Sequence, residues 1–279
     1  MRKYLYGGGI VLLCWLNVLA WGQIFKGEET RLVFFDVGQG DAIFLETSSG
    51  HRILLDGGPD DTILQKLGEH LPFWERTIDL VILSHPAQDH LQGLIKVLER
   101  YKISQILWTG VEKDTKVFEA WEEMLSKEEK EGARVFIAKA GQQVKWSSQE
   151  CSQYLDIVHP FENLAGKKVE DDNDTSIVAR LVLCDKKVLL TGDITSRTEQ
   201  ALVERSVNVD SDILKVAHHG SKTSSSREFI EQVSPEVAVI QVGKENRYGH
   251  PALQTLETFG QYGIEVLRTD EKGDISFSF

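Results

Sequence analysis

Three apolar runs in this chain each end in residue types that hold metals. Leu80-Val81-Ile82-Leu83-Ser84 leads into His85, Val188-Leu189-Leu190-Thr191-Gly192 into Asp193, and Leu214-Lys215-Val216-Ala217 into His218-His219. Short apolar runs bounded by turn residues are the pattern of strands buried on both faces. When separate strands each deliver a polar group just past their buried run, those groups can converge at one edge of a sheet. Any one of them alone would read as a surface loop residue; the three together restrict the chain to folds with covered sheets and a polar site at the strand ends.

The first of these ends is the richest. Ser84-His85-Pro86-Ala87-Gln88-Asp89-His90-Leu91-Gln92-Gly93 contains an H-x-x-x-D-H cluster, two imidazoles and a carboxylate on one short loop. A borderline cation such as Zn²⁺ or Mn²⁺ takes ligands of these types.

The order of elements suits an α/β fold. Residues 31–37, 41–47 and 52–55 read as a β-meander, with Gly38-Gln39-Gly40 as a tight turn. Helical spacing follows over 61–70, then a strand over 78–83, a helix over 91–101, a strand over 105–108 and a charged helix within 112–131. Residues 134–159 read as short strands, and 170–174 as a loop. The second half runs as a hairpin over 176–191, a helix over 196–205, a strand over 213–217, a helix over 226–233, a strand over 237–242, a helix over 251–262 and closing strands at 264–268 and 274–279. Two mixed sheets packed together, with helices on both outer faces, fit this order in a single domain over residues 30–279.

Arg2 and Lys3 precede residues 4–25, which carry no charge. Residues 1–28 therefore read as an N-terminal apolar helix, either an uncleaved signal anchor spanning a membrane or a cleaved signal peptide. Positive-inside logic then places the rest of the chain at the outer face of the cell membrane or in secreted form. Beyond Cys14 only Cys151 and Cys184 remain, with no metal-knuckle spacing, and two unpaired thiols are the expectation. The balance of 43 acids against 31 bases, net charge −12, disfavours stable binding of a long polyanion unless a local basic groove is present.

Taken as a set, Phe35-Asp36-Val37-Gly38-Gln39-Gly40-Asp41-Ala42, Leu55-Asp56-Gly57-Gly58, the 85–93 loop, Leu190-Thr191-Gly192-Asp193, residues 214–221 and Asn246-Arg247-Tyr248-Gly249-His250-Pro251 resemble the metallo-β-lactamase superfamily. More narrowly they resemble the metallo-hydrolase domain of ComEC-type DNA-internalisation competence proteins and its stand-alone relatives. The resemblance implies a four-layer αββα sandwich with a metal-activated water at one sheet edge. It matches His85 to a ligand of a first metal, Asp89 and His90 to ligands of a second, Asp193 to the carboxylate bridging both, and His219 to the last ligand of the second. His219 is preferred to His218 because the family's ligand precedes Gly-Ser, although His218 could exchange roles with it. Asp56 matches a supporting aspartate that orients ligands. Ala87 replaces the first metal's second ligand, and Asn173-Asp174 stands where its third is usual, leaving Asp174 as a candidate. One firm Zn²⁺ or Mn²⁺ site and a weak or absent second one are expected. A second histidine is often found after Gly249-His250-Pro251, and here that residue is Ala252.

The implied activity is that of a metal-dependent phosphodiesterase or nuclease. Asp89 or Asp193 would orient the hydroxide. His250 would donate a proton to the leaving group or contact phosphate. Gln39, Asp41, His218, Ser221, Lys222, Thr223 and Ser224 would border the substrate, the Ser/Lys run through backbone N–H groups and hydroxyls ahead of a helix. Hydrolysis of another ester or amide, such as a lactone or β-lactam, is a second reading. A binding module that kept the fold and lost a metal is a third. Expected partners are a phosphodiester, with DNA as the candidate polymer, and a membrane through the N-terminal segment; no protein partner follows. No polytopic channel segments are expected here, so a role in DNA uptake is not implied.

Overall fold

The computed structural model describes residues 29–146, 151–169 and 171–279. In chain order the strands are β1 (Arg31–Phe34), β2 (Ile43–Glu46), β3 (Arg52–Leu55), β4 (Thr77–Leu83), β5 (Lys102–Trp108), β6 (Arg134–Ile137), β7 (Gln143–Lys145), β8 (Gln153–His159), β9 (Val178–Leu183), β10 (Lys186–Leu190), β11 (Ile213–Lys215), β12 (Val237–Ile240), β13 (Glu265–Arg268) and β14 (Ile275–Ser278). The helices are α1 (Thr62–His70), α2 (Gln88–Leu98), α3 (Lys116–Glu131), α4 (Ser196–Glu204), α5 (Arg227–Val233), α6 (Leu253–Gln261) and α7 (Thr269–Lys272).

The strands form two seven-stranded sheets, ordered β14-β1-β2-β3-β4-β5-β6 and β13-β12-β11-β10-β9-β8-β7. Both mix antiparallel hairpins with parallel crossovers, β3-β4-β5-β6 in the first and β10-β11-β12-β13 in the second. Period-two alternation explains why the strands are apolar throughout. Leu32, Phe34, Ile82, Val188 and Leu190 face inward and pack sheet against sheet. Val33, Phe35 and Val81 face outward under Leu67, Leu91, Phe118 and Trp121 of the first helical layer. Leu189, Leu214 and Val216 pack beneath Leu202, Phe229 and Phe259 of the other. Four layers with three apolar interfaces match the αββα expectation.

The expected N-terminal apolar helix lies outside the described residues; among those described, no helix is long and apolar enough to cross a membrane. Helix α2 begins at Gln88 and not at Leu91, so Asp89 and His90 belong to its first turn. Ala87 occupies the N-cap without a side-chain acceptor, and its carbonyl receives the His90 and Leu91 amides. A helix start without Ser, Thr, Asp or Asn leaves no local signal. The expectation of unpaired thiols is corrected: Cys151 and Cys184 form a disulfide with 5.3 Å between Cα atoms. Antiparallel pairing of β8 with β9, Gln153 opposite Leu183, carries the two cysteines to the same end of the hairpin. Spacing of 33 residues could not reveal that.

Candidate metal centre

Strands β4, β10 and β11 end at one edge of the sandwich, and their next residues meet there. His85 leaves β4 directly, and α2 returns His90 and Asp89 one turn later. Gly40 permits this return, because a Cβ on it would collide with the Asp89 carbonyl. Gly93 has the same function further along, since its Cβ would run into the carbonyl of Gly57. Asp193 follows β10, its backbone N–H donating to Ser176 Oγ at 3.0 Å. His218 and His219 follow β11 with φ of 50° and 53°, a left-handed conformation that costs non-glycine residues roughly 1–3 kcal/mol each. The strain turns His219 towards Asp193, Nε2 to Oδ2 being 3.3 Å.

A second layer sets the ring orientations. Asp56 Oδ2 accepts from His90 Nδ1 at 2.8 Å and from Ser84 Oγ at 2.6 Å, while Oδ1 accepts the Ser84 amide. With its proton committed to Asp56, Ser84 Oγ accepts from His85 Nδ1 at 3.0 Å. His219 Nδ1 donates to the Gln241 carbonyl at 2.9 Å. All three rings thus carry hydrogen on Nδ1, leaving each Nε2 lone pair for a ligand.

Those atoms meet. Nε2 of His85, His90 and His219 and Oδ1 of Asp193 are buried without a hydrogen-bond partner. His90 Nε2 lies 3.3 Å from Asp193 Oδ2, and His219 Nε2 lies 3.4 Å from Asp89 Oδ2. The ligand atoms fall into overlapping clusters that include His85–His90–Asp193 and Asp89–His90–His219, with Asp41 adjoining both Asp193–His219 and Asp56–His90. Unpartnered buried polar atoms are costly, and this donor set suits a borderline divalent cation. The charges agree. Burial opposes protonation of His90 and His219, yet Asp193, with Asp56 beside one ring and Asp41 beside the other, pushes both well above the usual imidazole range. Burial likewise opposes charge on Asp193, but His219 and His90 hold its carboxyl well below the usual range. The residues fit a divalent metal.

Several expected site residues stand elsewhere. Asp174 stands apart from the ligand cluster: its carboxylate accepts from Thr195 N–H, Thr195 Oγ1 and Thr198 Oγ1 at 2.8–3.0 Å, at the start of α4. Asp41 is fully buried against Lys215 at 2.6 Å and His219 at 3.3 Å, beneath the ligand cluster rather than at its open side. The Ser/Lys run is divided between buried and exposed positions. Ser221 and Ser224 are buried, Ser224 Oγ donating to the Ile194 carbonyl. The amides of Ser225 and Ser226, ahead of α5, already donate to Glu199 at 2.6 and 2.8 Å, so a buried internal carboxylate takes the anion position. Lys222 and Thr223 are exposed but line a groove with α6 that includes none of the ligand cluster. Gln39 is half-buried, and its Oε1 accepts the Gly243 amide at 3.2 Å.

His218 lies beside the cluster, its ring centroid 5.6 Å from that of His250. Burial, then His218 and His219, lower the His250 imidazole to about 4. That lowering favours the neutral ring, which can donate one hydrogen bond. Sequence reasoning missed Lys215, hidden inside an apolar run, and Ser84 and Gln241, whose roles arise only from strand packing. His159 is buried and donates to the Ser176 carbonyl, while Ser176 in turn holds Asp193.

Two stacked sheets carrying a buried histidine–aspartate cluster at one edge define the class of metal-centred αββα proteins. The family model of the metallo-β-lactamase superfamily matches residues 35–244, and the chain belongs to that superfamily. Over its whole length it is 29% identical to ComE operon protein 3 of Bacillus subtilis, covering 36% of that protein. It is 31% identical to competence protein ComA of Neisseria gonorrhoeae, over 90% of this chain and 32% of the relative. The chain thus spans about a third of the length of these relatives. Among solved structures, CmlA, a diiron β-hydroxylase from Streptomyces venezuelae, aligns with TM-score 0.58 at 14% identity, over 90% of this chain and 54% of that one. At that identity the likeness is one of fold.

Proposed function

We propose that this chain is a metal-dependent phosphodiesterase of the competence-protein type, acting on DNA or a related phosphodiester. It binds Zn²⁺ or Mn²⁺ firmly through Asp89, His90, Asp193 and His219, and a second ion only weakly through His85 and Asp193. The observation that carries the reading is the convergence of three Nε2 atoms, each with its Nδ1 hydrogen already committed, on Asp193. When bound, the metal acidifies a water and polarises a phosphoryl oxygen. Asp89 is the ligand that reaches solvent, with 32% of its side chain exposed, and its free oxygen orients the attacking water. His250, neutral and unpartnered at Nδ1, contacts the phosphate.

Ala87 and the turning away of Asp174 favour, as a second reading, a metal-binding module with little turnover. Arg2-Lys3 ahead of the uncharged residues 4–25 supports placing the domain on the outer face of the membrane or secreting it.

The test is metal analysis of the full-length protein together with assays on bis(p-nitrophenyl) phosphate and single-stranded DNA, with and without chelator. Chelator-sensitive cleavage that Asp193→Ala abolishes is the expected outcome. Bound metal without turnover would select the binding module. Neither metal nor activity after adding Mn²⁺ and Zn²⁺ would overturn the proposal. Resistance of the full-length chain to carbonate extraction from membranes tests the anchor separately.

A further inference from the structure

Beyond the ligand cluster, a row of rings leads out to solvent. His219 is followed by His218 at 6.2 Å between centroids, His218 by His250 at 5.6 Å, and His250 by Tyr248 at 5.9 Å. The last pair is nearly parallel, with 16° between planes. Tyr248 is 55% exposed, a large aromatic surface left in water beside a polar site. Arg247 lies over its ring at 5.1 Å and donates to its hydroxyl. The turn is held from within: Asn246 Nδ2 donates to the carbonyls of Gly243 and His250, and Asn246 Oδ1 accepts the His250 amide, at 2.7–2.9 Å. A ring carried on a turn fixed in this way loses less conformational freedom when a flat ligand covers it.

We propose that Tyr248, with Arg247, is a base-stacking platform that receives a nucleobase beside the scissile phosphate of a single-stranded nucleic acid. The inference rests on the phosphodiesterase reading and adds the part of the substrate that reading leaves open. Aromatic faces accept any base, and an arginine beside them serves both the base and the backbone. Arg247 is exposed, so a base can displace its guanidinium from the ring towards a phosphate. Lys244 and Arg247 outnumber Glu245 in this turn, in a chain of net charge −12, so the positive charge needed by a polyanion is local. Leu253, 71% exposed at the start of α6 just after Pro251, adds apolar surface in the segment following the turn. Bases within a duplex are stacked on one another and cannot reach the platform, so single strands and frayed ends are the preferred form.

The test uses the full-length protein with Mn²⁺ on short oligodeoxynucleotides, intact or carrying one abasic residue stepped along the cleavage region. One stacked base corresponds to about a 5- to 150-fold higher kcat/KM for the intact strand over the strand abasic at the critical position. Tyr248→Ala should reduce that ratio to below about twofold, and Tyr248→Trp should keep it. A 2-aminopurine at the same position should lose fluorescence on binding to the native protein and not to Tyr248→Ala. A native ratio near one, or a ratio unchanged in Tyr248→Ala, would overturn the platform. If bis(p-nitrophenyl) phosphate is still cleaved in that case, the phosphodiesterase reading stands without it; absence of cleavage of every phosphodiester ends both.

Discussion

Lys215 Nζ lies 2.6 Å from Asp41 Oδ2, and both side chains are fully buried. Asp41 comes from the turn between β1 and β2 in one sheet and Lys215 from the end of β11 in the other, so the ion pair joins the two sheets beneath the ligand cluster. Burial opposes charge on Asp41, but Lys215 and then His219 hold its carboxyl below the ordinary range. Lys215→Met leaves that carboxylate without its closest partner and should cost about 3–5 kcal/mol in urea unfolding. Adding Asp41→Asn should recover part of the loss, and a double-mutant cycle measures the coupling. A loss below about 1 kcal/mol for Lys215→Met would show that the pair contributes little.

Ala87 sits between His85 and Asp89 at the N-cap of α2, partly exposed. Ala87→His restores an imidazole where the superfamily pattern has a ligand. Metal content per chain should rise from roughly one ion to two, read by elemental analysis after dialysis. Unchanged stoichiometry would place the weakness of the first site elsewhere, with the diverted Asp174 as the next candidate.

His159 supplies a pH-dependent component of stability. Burial lowers its imidazole below the ordinary 6.5, and the Ser176 carbonyl offsets only part of that. The unfolded chain therefore takes up the proton first as pH falls. The stability contributed by the neutral ring is complete above about 6.5 and is lost as pH drops below it, with a slope of at most about 1.4 kcal/mol per pH unit. Urea titrations of native protein and His159→Asn between pH 8 and 5 should diverge on acidification, the native protein losing more. Parallel curves would exclude the effect.

The Cys151–Cys184 disulfide closes a 33-residue separation around the β8–β9 hairpin. The double variant Cys151→Ala/Cys184→Ala should lower stability by about 2–4 kcal/mol, measured by denaturant midpoint at constant slope. Native protein assayed in reductant should match the double variant, and a difference between them would point to an effect of alanine itself.

Much of the architecture was legible in the chain because its cause is local. The runs at 80–83, 188–190 and 213–215 are strands, and the turns after them hold His85, Asp193 and His219. Backbone geometry sends successive strand residues to opposite faces, so a continuous apolar run must be covered on both sides, and four layers follow. Other features depend on which strands become neighbours. Asp174 and Asp193 look equivalent as acids on loops, yet packing gives Asp174 to the hydroxyls at the start of α4 and Asp193 to the imidazoles. Asp41 reads as a turn aspartate and Lys215 as an interruption of a strand, until stacking the sheets makes each the other's counter-charge. The residue types set what the chain could bind and how its strands would form. Only the tertiary structure decided which polar groups are left facing one another without water, because burial of charge is settled by long-range pairing that no local pattern encodes.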